Sequence, residues 1–296
     1  MVKEIFHFIL HLRLHYQLFI LSGGYLLGGL MADQMDSAQF WYQFINVHVL
    51  LFGGATAYNS FWDKDEGPIG GLKNPPKMTK WMHHASLLMM FAGWIWSYSI
   101  SMPYFIVYGF SFLLFWLYST PHARWKGAPH LSMIAIAVST GTNSTLLGFL
   151  AVDGVFSLVI LFASIGTSFV LLSLYPVSQI YQEKEDQKRG DLTFYGRYGL
   201  PGVKRFFKIS YPTGLSVLSV SLMKIAHIPG LLLLFTGAVA YVYILNTVNK
   251  LRGLEIEYQN VMKIKFIASL SFVLFLLAAN AIKHEWIGHT FLTTYF

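Results

Sequence analysis

Residues 58–67 read Tyr58-Asn59-Ser60-Phe61-Trp62-Asp63-Lys64-Asp65-Glu66-Gly67 and close a long apolar run. Residues 181–190 close another run and read Tyr181-Gln182-Glu183-Lys184-Glu185-Asp186-Gln187-Lys188-Arg189-Gly190. A tyrosine, a side-chain amide, an aspartate and a glycine recur in both stretches at an offset of 123 residues. Together with Asp191, these first and second acidic segments hold seven of the 14 acidic residues. The matched spacing predicts an internal duplication that organises the whole chain.

The composition predicts an integral membrane protein. The chain is 55% hydrophobic and 12% charged, whereas soluble domains carry roughly 25% charged residues. It contains no cysteine, which excludes disulfides and cysteine metal sites. The net charge of +7 is explained by cytoplasmic loops, which are rich in lysine and arginine in membrane proteins. We therefore expect a lipid bilayer, and no nucleic acid, as the partner of this chain.

Nine apolar runs are long enough to span a bilayer, which takes roughly 20 mostly apolar residues. They lie at about 8–30, 39–60, 81–100, 103–120, 130–150, 155–178, 206–224, 228–247 and 264–282. No small-residue cleavage site follows the first run, so we expect it to be retained as a helix. The fold class predicted is an all-α integral membrane protein with nine transmembrane helices.

The basic residues predict the orientation of these helices. If the N-terminus is cytoplasmic, 19 of the 21 lysines and arginines lie on the cytoplasmic side, and only Lys224 and Lys283 lie outside. Such an excess in cytoplasmic loops is typical of membrane proteins. We therefore expect a multi-pass protein of the cell membrane, with its N-terminus and both acidic segments facing the cytoplasm.

The duplication predicts how the helices are arranged. Runs one to four and five to eight would form two related four-helix units, with pseudo-repeats at about 1–125 and 126–250. The ninth helix completes a single domain that covers residues 1–296. Each unit places its acidic segment at the cytoplasmic end of its second helix. Two such units around a central cavity bring the segments face to face; a chance recurrence is the alternative.

The acidic segments predict a metal site. Asn59 and Asp63 are four residues apart, so on a helix they share a face, and Gln182 and Asp186 repeat the pair. Magnesium prefers oxygen ligands and binds through a few carboxylates plus substrate phosphates. Further oxygen donors are Asp65, Glu66, Glu183 and Asp191. The alternative is a solvated loop whose charges pair with one another.

A third polar stretch, at residues 118–126, follows the fourth apolar run. Arginine binds phosphate through two parallel hydrogen bonds, and lysine binds it as a point charge. With the basic residues of the second acidic segment, this stretch supplies candidates for binding a diphosphate: Tyr118, Arg124, Lys126, Lys188 and Arg189. The alternative is ordinary anchoring of the loop by positive charge.

These segments resemble the UbiA superfamily of intramembrane prenyltransferases, whose motifs are Asn-x-x-x-Asp-x-x-x-Asp and Asp-x-x-x-Asp. The resemblance covers the whole chain, including the number of helices and the positions of the motifs. Three positions depart from the pattern. Gly67 occupies the third position of the first motif, Gln182 replaces the earlier aspartate of the second, and His122 occupies the lysine position of the family's Tyr-x-x-x-Lys motif.

The resemblance implies a Mg²⁺-dependent transfer of a prenyl group from a polyprenyl diphosphate to a hydrophobic or aromatic acceptor. Asp63 and Asp186 would be essential for catalysis, and the basic residues would bind the leaving diphosphate. Positive charge placed in advance where negative charge develops accelerates such a step. A terpene cyclase of the same fold, with water or the substrate itself as the acceptor, is one alternative. A transporter is the other, since internal repeats are common in transporters.

Overall fold

The computed structural model describes residues 2–64, 66–152 and 155–286, and their regular structure is helical. The predicted all-α fold class is therefore confirmed. The helices are Val2–Leu12, Leu14–Tyr16, Gln17–Leu21, Gly23–Met31, Ser37–Ile45, Asn46–Gly53, Gly54–Asp63, Lys80–Ser97, Met102–Ser119, Trp125–Gly127, Pro129–Ile136, Ala137–Thr142, Asn143–Leu150, Leu158–Leu174, Pro176–Gln182, Glu183–Lys188, Phe194–Met223, His227–Lys250, Glu255–Glu257 and Tyr258–Lys283.

Five helices in the described part of the chain are long and apolar enough to cross a membrane. They are Met102–Ser119, Pro129–Leu150, Leu158–Lys188, His227–Lys250 and Tyr258–Lys283, where two of these ranges join consecutive helical segments. Each corresponds to one of the predicted runs, which supports an integral membrane protein. The arrangement of nine spans in two related units remains a prediction.

Short polar side chains fix where several helices begin. Asp36, Ser101, Ser157 and Thr193 each accept a hydrogen bond from the backbone N–H three residues later. Such N-caps satisfy N–H groups that have no partner within the helix. They also fix the ends of the loops between the helices.

Within the described ranges, three stretches are π-helical rather than α-helical: Gln17–Leu21, Asn46–Gly53 and Ala137–Thr142. π-helical turns occur frequently at functional sites. Each stretch contributes to the wall of the same central cavity, the first through Ile20 and Leu21, the second through Phe52 and the third through Thr140. The irregular parts of these helices therefore face the space in which a ligand would bind.

The helices Gly23–Met31 and Asn143–Leu150 pack with their backbones in close contact. A methyl group added at Gly28 would collide with the backbone at Thr145, and one added at Gly148 would collide with the backbone of Tyr25. Small residues permit this approach between membrane helices. The contact joins a helix of the first predicted repeat unit to a helix of the second.

This close approach predicts that Gly148→Ala destabilises the protein. The added methyl group meets backbone atoms that cannot rotate away, so we expect the free energy of unfolding to fall by about 2 kcal/mol. The loss is measured as a lower melting temperature of the purified protein in detergent. Gly196→Ala is the control, because a methyl group there meets only ordinary van der Waals contacts. Equal melting temperatures for the two variants would contradict the close contact between the backbones of these two helices.

Candidate active site

A cavity of about 510 Å³ lies among the helices and has two chemically different ends. Its polar end is lined by residues from both acidic segments and from the third polar stretch. Its other end is lined by aliphatic and aromatic side chains, among them Phe52, Phe115, Leu215, Phe272 and Phe275. The cavity therefore suits a ligand with a charged head and a long apolar tail.

Asp63 is the last residue of the helix Gly54–Asp63, which ends because Lys64 adopts a left-handed conformation (φ 52°). The Asp63 side chain is buried, and its Oδ2 lies 2.5 Å from Lys126 Nζ. Its Oδ1 lies 3.8 Å from Arg124 Nη2. Among the described residues this Oδ1 has no hydrogen-bond partner. Lys126 therefore pairs closely with one oxygen of the carboxylate, whereas the other oxygen has the longer ion-pair contact with Arg124 and accepts no hydrogen bond from the described residues.

Asn59 lies one turn before Asp63 on the same helix and lines the same cavity. Its Nδ2 donates a hydrogen bond of 3.1 Å to Ser119 Oγ, on the helix Met102–Ser119. This bond orients the amide group, since the nitrogen is held by the serine. The amide oxygen is consequently the atom that Asn59 can offer to a cation.

The second acidic segment contacts the first directly. Glu185 accepts a hydrogen bond of 2.7 Å from the backbone N–H of Gly67. Arg189 donates one of 2.7 Å to Asp186 Oδ1 and another of 3.3 Å to the backbone carbonyl of Asp63. The two segments, separated by more than a hundred residues in the chain, thus form one cluster.

Arg124 and Asp191 form a second ion pair beside this cluster. The guanidinium donates two hydrogen bonds to the carboxylate, of 2.6 and 2.8 Å. Burial opposes the charge of Arg124, but the hydrogen bonds and the attraction of Asp191 raise its pKa above the ordinary value. Arg124 therefore stays charged and fixes the turn that carries Lys126 into the cavity.

Six of the residues predicted to form the site line the cavity: Asn59, Asp63, Tyr118, Lys126, Gln182 and Asp186. Tyr118 shares a hydrogen bond of 2.9 Å with the hydroxyl of Tyr175. Six others contribute nothing to the cavity wall: Glu66, Arg124, Glu183, Lys188, Arg189 and Asp191. Asp65 lies outside the described residues.

The cavity wall also contains residues that the sequence analysis did not propose for the site, namely Arg13, Tyr16, Tyr175, Gln179 and Lys265. Arg13 could have been recognised from the sequence, because it is a charged residue within a predominantly apolar run. Nothing in the sequence marks Lys265 as a site residue, because a lysine near the start of an apolar run is typical of a membrane interface.

The donor atoms of the cavity fit a magnesium ion that arrives with a diphosphate. The described residues contain no group of three or more histidine, cysteine, aspartate or glutamate side chains that could hold a metal ion. Magnesium, however, commonly binds one or two carboxylates and completes its shell with phosphate oxygens and water. Asp63 and Asp186 supply the carboxylates, and Oδ1 of Asp63 accepts no hydrogen bond from the described residues.

No protein-family model and no curated protein matches the sequence, but solved structures match the fold. A UbiA homologue from Archaeoglobus fulgidus bound to DMAPP and Mg²⁺ is similar with a TM-score of 0.71 at 13% identity, over 93% of this chain and 99% of that chain. The homologue bound to GPP and Mg²⁺ gives the same TM-score and identity, over 93% of this chain and 100% of that chain. A digeranylgeranylglyceryl phosphate synthase structure gives 0.62 at 16% identity, over 94% and 99%. The chain has the UbiA fold, as the sequence motifs predicted.

The contacts of Asp191 predict that it stabilises the fold rather than binding a ligand. Its side chain is 2% exposed and pairs with Arg124, and removal of one partner of a buried ion pair costs about 3 kcal/mol. We expect Asp191→Ala to lower the melting temperature, whereas Lys188→Ala, at an exposed position, leaves it unchanged. An unchanged melting temperature for Asp191→Ala, together with a loss of Mg²⁺-dependent ligand binding, would instead identify Asp191 as a metal ligand.

Proposed function

We propose that this chain, which has the UbiA fold, is a prenyltransferase of that superfamily. It would transfer a prenyl group from a polyprenyl diphosphate to an acceptor within the bilayer. The observation that carries the proposal is the cavity itself, whose wall combines a cluster of carboxylate, amide and lysine side chains with many apolar side chains. Similar structures bound to DMAPP or GPP with Mg²⁺ support the same assignment.

The polar end would bind the diphosphate of the donor. Lys126 is buried there with its Nζ beside Asp63, so a positive charge is held at the cavity wall before any ligand arrives. Asn59, Asp63, Gln182 and Asp186 would hold Mg²⁺ together with the phosphate oxygens. When bound, this ion supplies positive charge that stabilises the leaving diphosphate.

The apolar end would bind the prenyl chain. Phe52 and Phe115 line it and contact each other edge to face, with their ring centroids 5.7 Å apart. Aromatic faces attract cations, so rings at this end stabilise positive charge that develops on the prenyl group. The apolar wall also excludes water, which would otherwise compete with the acceptor.

The transfer breaks the bond between C1 of the prenyl group and the diphosphate oxygen, which keeps the electron pair. C1 then forms a bond to a nucleophilic carbon or oxygen of the acceptor, and the acceptor loses a proton. Lys126 is placed to meet the negative charge that grows on the leaving oxygen. A carboxylate at the polar end can take the proton.

We also propose that the polar end faces the cytoplasm. The acidic segments and the third polar stretch lie at the ends of the helices where nearly all basic residues collect in the proposed topology. Because cytoplasmic loops are enriched in such residues, the diphosphate would enter from that side.

Substitution of the two cavity aspartates tests this proposal. We expect Asp63→Asn and Asp186→Asn each to lower the rate of diphosphate release at least about 100-fold, since each removes negative charge that holds the metal–diphosphate complex. Binding of geranylgeranyl diphosphate should lose its dependence on Mg²⁺ in both variants. The rates are measured with purified protein in nanodiscs.

Glu66→Gln and Glu183→Gln are the matched controls, because neither side chain lines the cavity. They should retain the activity of the unsubstituted protein. Full activity in both aspartate variants would exclude the proposed metal site.

A further inference from the structure

We propose that a groove on the surface of the bundle, between the helices Leu158–Leu174 and Phe194–Met223, binds one anionic phospholipid of the surrounding bilayer. The groove has a volume of about 500 Å³, and its wall includes Leu158, Val159, Phe162, Val217, Val220 and Lys224. It shares no described residue with the central cavity. This second site has no part in the proposed prenyl transfer and goes beyond it.

The groove lies at the end of the bundle opposite to the acidic cluster. The helix Leu158–Leu174 leads through Pro176–Gln182 to the second acidic segment, so Leu158 is separated from that segment by the length of the helix, roughly 25 Å. The helix Phe194–Met223 runs in the opposite direction and ends beside Lys224. In the proposed topology, this end of the bundle lies in the outer leaflet.

The groove begins where the two helices cease to be in backbone contact. A methyl group added at Gly166 would lie 3.0 Å from the carbonyl oxygen of Gly214, and one added at Gly214 would lie 2.8 Å from that of Gly166. Such small residues let membrane helices approach closely. Towards the outer end, larger side chains such as Phe162 and Val220 follow, and the groove lies between them.

The wall of the groove is mostly apolar and open to the surroundings of the protein. Leu158 is 70% exposed, and Phe162 and Val220 are each 53% exposed. The hydroxyl of Ser221 donates a hydrogen bond of 2.8 Å to the backbone carbonyl of Val217, so this polar group is already satisfied. The groove therefore suits a hydrocarbon chain, which gains van der Waals contacts along its length.

The length of the groove matches one leaflet of a bilayer. Its wall extends along the helix from Lys224 to Ser216, a distance of roughly 12 Å for eight residues. The hydrocarbon core of a bilayer is about 30 Å thick, so one leaflet contributes roughly 15 Å. An acyl chain in the groove would thus lie alongside the protein through most of its leaflet, with its headgroup near Lys224.

Lys224 supplies the charge that selects the headgroup. It is the one charged residue among the described residues of the groove wall, and its side chain is exposed. No described carboxylate forms an ion pair with it. Lys283, the other lysine predicted on this side, instead donates hydrogen bonds of 2.9 Å to the carbonyls of Leu30 and Ala32. Lys224 is therefore placed to meet a ligand.

These features favour an anionic phospholipid over other occupants. Lysine binds phosphate as a point charge. A zwitterionic headgroup carries its own cation beside the phosphate, so it gains less from Lys224 than an anionic headgroup does. A second copy of this chain fits less well, because an apolar helix packed into the groove would bury the lysine charge without a partner.

Native mass spectrometry of the full chain, purified in detergent and stripped of lipid, tests the groove. Phosphatidylglycerol and phosphatidylcholine with identical acyl chains are titrated separately. We expect the first phosphatidylglycerol to bind about fivefold more tightly than the first phosphatidylcholine, the gain typical of one lysine near an anionic headgroup.

Substitution of Lys224 tests the role of its charge. K224Q should bind the two lipids equally, whereas K224R keeps the charge and should keep the preference. K263Q removes a lysine at an exposed position outside the groove wall, so it should behave as the unsubstituted protein.

The variant V220W tests the role of the apolar wall. The indole ring would fill the groove, so both lipids should bind more weakly. Because Val220 is exposed, the melting temperature without lipid should not change. Phosphatidylglycerol should raise the melting temperature of the unsubstituted protein, since a ligand that binds only the folded state stabilises it, and V220W should lose this rise.

Three results would overturn the proposal. The first is equal affinity of the unsubstituted protein for the two lipids. The second is a preference for phosphatidylglycerol that persists in both K224Q and V220W, which would place the lipid elsewhere. The third is a dimer of the lipid-free protein that V220W dissociates, which would identify a second copy of the chain as the occupant of the groove.

Discussion

Charge pairing between the acidic segments and the third polar stretch is the interaction on which the cavity depends. Lys126 neutralises one oxygen of Asp63, Arg124 binds Asp191, and Arg189 joins Asp186 to the backbone of Asp63. Buried carboxylates left unpaired would be strongly destabilising, so these contacts allow a dense acidic cluster to exist at the end of a membrane bundle. They also bring together parts of the chain that are distant in sequence.

The sequence predicted the regular, local part of this architecture well. The run at 103–120 matches the helix Met102–Ser119, because a uniformly apolar segment is visible to a hydropathy count. The run at 206–224 begins twelve residues after the helix Phe194–Met223 does. The early part of that helix carries polar residues and a kink at Gly199, where φ is 60°, so hydropathy does not detect it.

The site was predictable in outline and less so in detail. Matched spacing indicated that Asp63 and Asp186 belong together, and both line the cavity. Spacing could not indicate that Asp191 binds Arg124, because this contact joins residues 67 positions apart. Nor could it reveal the left-handed conformation that brings Arg13 to the cavity wall, since arginine is not a residue that favours it. Tertiary contacts therefore decide which charges pair with one another and which remain for a ligand.

Release of inorganic diphosphate by the purified protein in nanodiscs distinguishes prenyl transfer from the alternative functions. Geranyl, farnesyl and geranylgeranyl diphosphates are supplied with and without Mg²⁺ and with a panel of aromatic and lipid acceptors. A prenyltransferase releases diphosphate only when Mg²⁺ and an acceptor are both present, and the acceptor gains the prenyl group. Release without any acceptor would indicate a cyclase or hydrolase. The absence of both diphosphate release and Mg²⁺-dependent binding would exclude prenyl transfer and favour a transporter.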